Sequence, residues 1–378
     1  MKRVLLNATT IRRGGGLQAV VNFIRMARAG DQVRDWVFAV SKDVAEQLRA
    51  EGIELQNARE FVTSPARSRQ ARRELRNFER EVAPGLVFTF FGPAYVRFRA
   101  FHVCGVANGW VTHPNRYAYK ALGFANSLVS RFRRLYRARW FSTADAWVVE
   151  AEIAKQGLIA LLRCPAERID VVPNVCGDRY RSLGAIRRCT PKSDQIRIFV
   201  FSAYYRHKNI ELVTDVAAVL RKKRPALTFE FVLTLPEESA EFLKICRMAH
   251  ERGLGAHLLT LGVVALKDGP DAYASCDISF LPTLLETSSA VFPESMAMGL
   301  PVVTTRLDFN TAVCRNAAVY FDPMNAESAA DALLNLIEDH ALWERCVARG
   351  KELVEGMGDQ VSKYHAYERC ITKYLSRA

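Results

Sequence analysis

The sequence predicts an α/β protein made of two doubly wound domains with a cleft between them. Short apolar runs of strand length alternate with amphipathic helical segments, and this alternation starts a second time near residue 196. The 378 residues also exceed the roughly 250–300 that a single core usually holds. We therefore predict domains at residues 1–185 and 186–355, followed by a C-terminal helical segment at 356–378.

The first series of elements begins with a strand at residues 3–6, a glycine-rich loop and a helix at 17–26. The remaining apolar runs and helical patterns of this half predict strands at 36–40, 86–91, 102–107, 146–150 and 169–173, and helices at 41–47, 67–81 and 152–162. A polar and basic stretch at 182–194 is suited to a linker between the domains.

The second series repeats the alternation. Its predicted strands are at 196–202, 229–235, 278–285, 302–303 and 317–321, and its helices at 210–221, 238–251, 270–276, 326–337 and 341–374. Residues 257–263 lead into a strand-like turn. Residues 281–305 form its central unit, which is predicted as strand, loop, short helix and strand.

Two carboxylates lie in this central unit, separated by seven residues. Glu286 falls in the loop at the carboxyl end of a strand, where open α/β sheets bind ligands. Glu294 falls in the first helical turn, which favours an anionic phosphate. Ser288 or Ser289 is predicted to cap the helix, and Pro293 is suited to its first turn. This loop can therefore offer backbone donors to a diphosphate and carboxylates to sugar hydroxyls.

The string ETSSAVFPESMAMGLPVV resembles the Glu-x7-Glu signature of retaining family 4 glycosyltransferases, which have the GT-B fold of two facing Rossmann-like domains. The resemblance extends over nearly the whole chain and is specific in the second domain. It implies that Glu286 lies beside the transferred sugar and that Glu294 binds the ribose of the nucleotide. It also implies that a C-terminal helix crosses back to the first domain. The loop residues expected to bind the donor are Ser288, Ser289, Ala290 and Val291.

A second group of expected donor-binding residues lies in SAYYRHKN, after the first strand of the second domain. Lys208 matches the family lysine that binds the donor diphosphate. The chain has Ser202 and Ala203 where the family often has Gly-Arg, so Arg206 is expected to replace that arginine. Cations here stabilise the departing nucleoside diphosphate.

Two features of the first domain complete the expected site. Gly15 and Gly16 belong to a glycine loop that faces the donor in the family, although their spacing is not the GxGxxG of a dinucleotide site. Asn108 stands where the family commonly has a catalytic histidine, and His113 follows five residues later. Either residue is expected to serve the acceptor side. The sequence has no Asp-x-Asp pair, so we expect no metal and no cofactor besides the nucleotide-sugar substrate.

The charge of the chain is unevenly distributed. The net charge is +13, yet residues 1–188 hold 32 Lys and Arg against 16 Asp and Glu. Residues 116–139 contain seven basic residues, no acidic residue and several interleaved aromatic rings. This pattern indicates an anionic membrane surface as a partner. A solvated arginine face on a core helix is the alternative interpretation.

The remaining features concern location. No apolar run is long enough for a membrane span, the N-terminal apolar run is too short for a signal peptide, and the nine cysteines form no CxxC pair. We expect a cytoplasmic protein that associates peripherally with the inner face of the cell membrane.

The sequence thus predicts a retaining, metal-independent hexosyltransferase. It would move a sugar from a UDP- or GDP-linked donor to a glycan or lipid-linked acceptor in bacterial surface polysaccharide biosynthesis, such as that of O-antigen, capsule or lipopolysaccharide. A GT-B-fold epimerase or phosphorylase is the first alternative. A nucleic-acid-binding protein is the second, favoured by the basic half alone, but the chain has no nucleic-acid-binding motif and we expect no such partner.

Overall fold

The computed structural model describes residues 3–29, 34–184 and 195–376. They pack into two units. The first contains the residues up to 113, residues 128–174 and those from 360 onward, and the second contains 114–127 and 175–359. The domain bounds 1–185, 186–355 and 356–378 stay predictions. Most of the predicted linker, residues 185–194, lies outside the described residues.

The first unit is built on a parallel sheet of seven strands in the order β3-β2-β1-β4-β5-β6-β7. Its strands are β1 (Val4–Ala8), β2 (Trp36–Ser41), β3 (Ala58–Phe61), β4 (Leu86–Thr89), β5 (Phe101–Val106), β6 (Ala146–Val149) and β7 (Ile169–Val171). β1 is buried along its whole length, as expected for a central strand covered on both faces. β3 was not predicted from the sequence, because three of its four residues are exposed and it lies at the edge of the sheet.

The helices of the first half of the chain connect these strands. They are α1 (Gly15–Ala29), α2 (Lys42–Ala50), α3 (Arg69–Val82), α4 (Gly109–Thr112), α5 (Arg116–Leu122), α6 (Phe124–Phe141) and α7 (Glu152–Leu162). Serine caps fix two of the starts: Ser41 Oγ accepts the Val44 amide and Ser68 Oγ the Ala71 amide, each at 3.2 Å.

The basic segment at 116–139 lies on two helices. Gly123 separates α5 from α6 with a φ of +76°, a conformation that glycine adopts readily. α5 and the first turn of α6 belong to the second unit, whereas the rest of α6 belongs to the first.

The second unit has a parallel sheet of six strands in the order β10-β9-β8-β11-β12-β13. The strands are β8 (Gln195–Val200), β9 (Thr228–Leu233), β10 (Leu258–Thr260), β11 (Ile278–Leu281), β12 (Val302–Thr305) and β13 (Ala318–Phe321). Phenylalanines pack across one face of this sheet, with the ring centroids of Phe231 and Phe280 at 5.8 Å and those of Phe280 and Phe321 at 5.4 Å.

Helices flank this second sheet as well. They are α8 (Asp178–Gly184), α9 (Leu212–Lys223), α10 (Ala240–His250), α11 (Gly269–Ala274), α12 (Val291–Ala297), α13 (Asp308–Cys314), α14 (Ala326–Glu338) and α15 (His340–Gly356). The strands and helices of both units confirm the predicted fold class of two doubly wound α/β domains.

The predicted long helix at 341–374 is wrong as one element, because it breaks between α15 and α16 (Gln360–Leu375). α16 packs in the first unit, where Tyr367 lies 5.7 Å from Phe23 and 5.4 Å from Phe90, centroid to centroid. Lys363 of α16 is almost fully buried and its Nζ lies 3.6 Å from Glu150 Oε1.

Candidate functional site

The loop that follows β11 holds Glu286 at the carboxyl edge of the second sheet. Its carboxylate forms an ion pair with Lys208 Nζ, and Thr283 Oγ1 donates to its Oε1 at 3.0 Å. Only 13% of the Glu286 side chain and 16% of the Lys208 side chain are exposed to solvent. An ionised carboxylate only accepts hydrogen bonds, so the hydroxyl groups of a bound molecule are suitable partners for it.

Two backbone connections fix the relative position of these residues. Leu284 N donates to the His207 carbonyl at 2.7 Å, so the β11 loop is tied to the loop that carries Lys208. Thr305 Oγ1 at the end of β12 donates to the Thr283 carbonyl at 2.7 Å. The two loops therefore form one rigid edge at the carboxyl ends of adjacent parallel strands.

Lys208 ends a 3-10 turn over Arg206–Lys208, after which Asn209 has a φ of +54°. The pKa of His207 is lowered to about 4, chiefly by burial, with Glu286 opposing the shift and Lys208 adding to it. His207 is therefore neutral near pH 7, which leaves Lys208 and the exposed Arg206 as the cations of this turn.

Glu294 lies on α12, on the other side of the same loop. Tyr273 Oη donates to its Oε2 at 3.0 Å. Burial raises the pKa of Glu294 to about 7, and the hydrogen bond from Tyr273 opposes this shift. Tyr180 packs edge-on against Tyr273 with ring centroids 5.5 Å apart, so the carboxylate lies against an aromatic wall.

The start of α12 differs from the prediction. Neither Ser288 nor Ser289 caps it, because the loop continues past both serines and the N-cap is Ala290, which makes no side-chain cap bond. Of the loop residues that follow Glu286, Ser289 is buried, whereas Ser288, Ala290 and Val291 are half-buried. Pro293 occupies the first turn as predicted, where its missing N–H costs no helical hydrogen bond.

The structure places the other predicted residues in the first unit. Gly15 and Gly16 open α1, after Gly14 with a φ of +70°, and a Cβ on Gly16 would lie 3.5 Å from the Phe91 ring. Asn108 precedes α4 and makes no side-chain cap bond, and its buried Oδ1 has no hydrogen-bond partner among the described residues. His113 follows α4, with its Nδ1 at 2.8 Å from Thr112 Oγ1. No observation tests the roles predicted for these four residues, which stay predictions.

One residue that the sequence analysis missed joins this edge from the first half of the chain. The Asn115 side chain caps α5 by accepting the Tyr117 and Ala118 amides at 3.0 Å, and its Nδ2 donates to the Leu284 carbonyl at 2.7 Å. The Asn before a helical pattern was visible in the sequence. Its long-range contact had no local signal.

The described residues contain neither a candidate metal site nor a candidate membrane span. In the described residues, no three His, Cys, Asp or Glu side chains are grouped so that they could hold a metal ion. Within the same ranges, no helix is long and apolar enough to cross a membrane.

Part of the chain resembles known proteins in sequence. Residues 185–353 match the family model "Glycosyl transferases group 1". A phosphatidyl-myo-inositol mannosyltransferase of Mycobacterium leprae (strain TN) is 37% identical over 105 residues, which are 27% of this chain and 28% of that protein. A probable sucrose-phosphate synthase 1 of Craterostigma plantagineum is 34% identical over 89 residues, 22% of this chain and 8% of that protein. The matched region thus spans only a small part of these curated relatives.

Solved structures resemble the chain over almost its full length. Anabaena Alr3699/HepE, crystallised in complex with UDP and glucose, superposes with a TM-score of 0.74 at 14% identity, covering 99% of this chain and 100% of that chain. WaaG, a glycosyltransferase involved in lipopolysaccharide biosynthesis, gives a TM-score of 0.68 at 14% identity, with 98% and 99% covered. At these identities the likeness establishes the fold.

Proposed function

We propose that this chain, whose residues 185–353 match the family model of the group 1 glycosyl transferases, transfers a sugar from a nucleotide-sugar donor to a glycan or lipid-linked acceptor. The observation that carries the proposal is the pairing of Lys208 with Glu286 at the carboxyl edge of the second sheet, with Glu294 on the helix that follows. A cation and two carboxylates on one sheet edge match the needs of a diphosphate and of sugar hydroxyls.

The roles divide by charge. Lys208 and Arg206 would bind the diphosphate and stabilise the negative charge that grows on it as it leaves. Glu294 would accept the ribose hydroxyls, and the loop 288–291 would lie along the phosphates. Glu286 would hold the transferred sugar through its hydroxyls once the diphosphate has engaged Lys208.

We infer that the anomeric configuration is retained, with the acceptor attacking on the face from which the diphosphate departs. The bond between the anomeric carbon and the diphosphate oxygen breaks and the bond to the acceptor oxygen forms. The proton of the acceptor hydroxyl passes to the leaving diphosphate. Glu286 positions the sugar in this scheme and forms no covalent bond. Asn108 and His113 are proposed to bind the acceptor.

The names of the similar proteins support particular substrates. Anabaena HepE was crystallised with UDP-glucose, so a UDP-linked hexose is the first donor to test, with a GDP-linked hexose second. The mycobacterial mannosyltransferase is named for a phosphatidylinositol, and WaaG for lipopolysaccharide biosynthesis. We propose a lipid-linked acceptor in bacterial surface polysaccharide biosynthesis, and a peripheral location at the inner face of the cell membrane.

Calorimetric titration with UDP and GDP tests the donor site. Glu294→Ala and Lys208→Ala should each weaken binding of the preferred nucleotide roughly ten- to a hundredfold, because each removes a charged hydrogen-bond partner. Glu251→Ala and Lys222→Ala remove exposed charges of the same unit and should leave binding unchanged. Wild-type affinity in both Glu294→Ala and Lys208→Ala would show that the site lies elsewhere.

Product analysis tests the reaction class. Incubation with the nucleotide sugar and a lipid-linked acceptor should give a glycosylated lipid and free nucleoside diphosphate. Conversion of the donor alone would indicate an epimerase, and consumption that depends on inorganic phosphate would indicate a phosphorylase.

A further inference from the structure

The outward face of α6 is apolar, which is the reverse of the usual pattern for a surface helix. Ala138 and Phe141 are its buried residues, yet six large apolar side chains of the same helix are exposed. We call these six residues the α6 ridge: Phe124 (92% exposed), Leu128 (50%), Val129 (45%), Phe132 (65%), Leu135 (61%) and Tyr136 (49%).

The spacing puts the ridge on one side of the helix. At about 100° per residue, the six positions fall within an arc of about 140°. Phe141 falls opposite the centre of this arc, and Ala138 falls about 40° beyond its edge. A surface helix normally turns its polar residues to water and its apolar residues to the core. Contiguous exposed apolar surface of this kind marks an interaction site.

Basic residues accompany the ridge. α6 carries Arg131, Arg133, Arg134, Arg137 and Arg139, and it has no acidic residue. Arg134 has an internal role, since its Nε donates to the Val111 carbonyl at 2.9 Å. Arg133 and Arg139 are exposed. At the same angular spacing, Arg133 falls at one edge of the ridge and Arg139 falls within its arc near the C-terminal end.

An aromatic cluster lies where the ridge ends. The ring centroid of Tyr95 is 6.2 Å from that of Tyr136 and 5.9 Å from that of Trp140, and the Arg72 guanidinium lies 5.2 Å from the Trp140 centroid. Tyr and Trp rings with neighbouring arginines suit the boundary between hydrocarbon and head groups, because one end of each ring is apolar and the other is polar.

We propose that the α6 ridge is the surface by which the protein docks on an anionic lipid bilayer, with the apolar side chains inserted and the arginines among the head groups. A bilayer accommodates both halves of this pattern. A symmetric contact with a second copy would bring two sets of α6 arginines together, and a nucleic acid would leave the ridge in water. This proposal rests on the proposed function, because docking on a bilayer would bring the protein to a lipid-linked acceptor.

Vesicle flotation tests the proposal on the full chain without donor, at physiological salt. The probes are vesicles of phosphatidylglycerol with phosphatidylcholine, and of phosphatidylcholine alone. The Phe124→Ser, Phe132→Ser, Leu135→Ser triple variant should lose at least about tenfold in binding to anionic vesicles. The matched control is Val62→Ser, Leu243→Ser, Val263→Ser, which changes three exposed apolar residues elsewhere and should bind like the wild type.

A second pair of variants tests the charge. Arg133→Gln, Arg139→Gln should also weaken binding to anionic vesicles by about tenfold, whereas Arg73→Gln, Arg76→Gln on α3 should not. High salt should weaken wild-type binding without abolishing it, because the apolar insertion remains.

Three results would overturn the proposal: wild-type flotation by the ridge triple variant, equal loss in its matched control, or a wild-type dimer in solution that the triple variant converts to a monomer. Nucleotide titration without vesicles distinguishes failure of the ridge proposal from failure of the proposed donor site. A protein that floats but binds no nucleotide refutes the donor site, and one that binds nucleotide but does not float refutes the ridge.

Discussion

Among the single residues, Glu294 has the most informative environment. Its carboxylate is largely removed from water against two tyrosine rings, and this burial raises its pKa to about 7 while the Tyr273 hydroxyl opposes the shift. Near neutral pH the group is therefore divided between its protonated and ionised forms. The ionised form is the stronger acceptor for a ribose hydroxyl.

Stability should depend on pH through this group. Its pKa in the folded chain, about 7, lies above the ordinary 4.5, so between these values the folded state binds more protons than the unfolded state. The unfolding free energy should fall as the pH rises through this window, by at most about 1.4 kcal/mol per pH unit. Glu294→Gln should remove the contribution of this group to the decrease in unfolding free energy. Urea unfolding of both proteins over the window measures it, and parallel pH curves would contradict the assignment.

Nucleotide affinity should depend on the same ionisation of Glu294, but it should rise with pH where the unfolding free energy falls. Affinity should increase as the pH passes 7 and Glu294 ionises. Tyr273→Phe removes the hydrogen bond that favours the ionised form, so it should move the increase to higher pH. Calorimetric titration across this range measures both, with Glu294→Gln as the control for the ionisation of the phosphates. A midpoint that Tyr273→Phe leaves in place would show that Tyr273 does not tune this carboxylate.

At the scale of elements, α5 braces the loops of the candidate site. The Asn115 side chain both caps α5 and donates to the Leu284 carbonyl, two residues before Glu286. α5 thus starts from a side chain that is fixed to the β11 loop. A helix from the first half of the chain thereby contributes to the geometry of the second sheet edge.

A second asparagine cap serves as the control that separates the capping role of Asn115 from its contact with the Leu284 carbonyl. Asn325 caps α14 by accepting the Ser328 amide at 3.1 Å. Asn115→Ala and Asn325→Ala should each cost about 0.5–2 kcal/mol of stability. Only Asn115→Ala should also weaken nucleotide binding severalfold. Equal affinities in the two variants would reduce Asn115 to an ordinary cap.

The elements also show how far sequence reasoning extends. Buried strands such as β1 and β11 were predictable because continuous apolar runs flanked by turn residues leave few alternatives. The start of α12 was not, because Ser288 and Ser289 offered equivalent local caps, whereas the tertiary fold of the loop selected Ala290. The position of Glu286 at the strand end followed from the pattern. Its ion pair with Lys208 joins two loops that are distant in the chain, and local patterns do not report such pairs.

At the scale of the molecule, α16 completes the first unit through a buried ion pair. Lys363 lies 3.6 Å from Glu150 and its Nζ donates to Asn174 Oδ1 at 2.8 Å, with the Lys363 and Glu150 side chains 7% and 9% exposed. Burial raises the pKa of Glu150, and the charge of Lys363 opposes this shift. The inclusion of residues 114–127 in the second unit could not be predicted from a linear pattern, whereas the family resemblance had already implied the return of a C-terminal helix such as α16.

Removal of one partner from this ion pair should be costly. Lys363→Met leaves a buried carboxylate without its cation and should lower the unfolding free energy by about 3–5 kcal/mol. Lys373, which is also on α16, forms a more exposed ion pair with Asp170 of β7. Lys373→Met breaks this pair and should cost under about 1 kcal/mol. Chemical denaturation measures both. The double variant Glu150→Gln, Lys363→Met should recover part of the loss, and a double variant as unstable as Lys363→Met would contradict this account.

The return of α16 to the first unit also constrains synthesis on the ribosome. The strands that carry Phe88 and Phe101 emerge early, but the helix that covers them is made only after the whole of residues 185–353. Until residues 360–375 leave the exit tunnel, the nascent first unit shows an uncovered aromatic surface of the kind that chaperones bind. A premature stop within α15 would spare every residue of the proposed donor site, yet it would release a polypeptide whose aromatic surface stays uncovered.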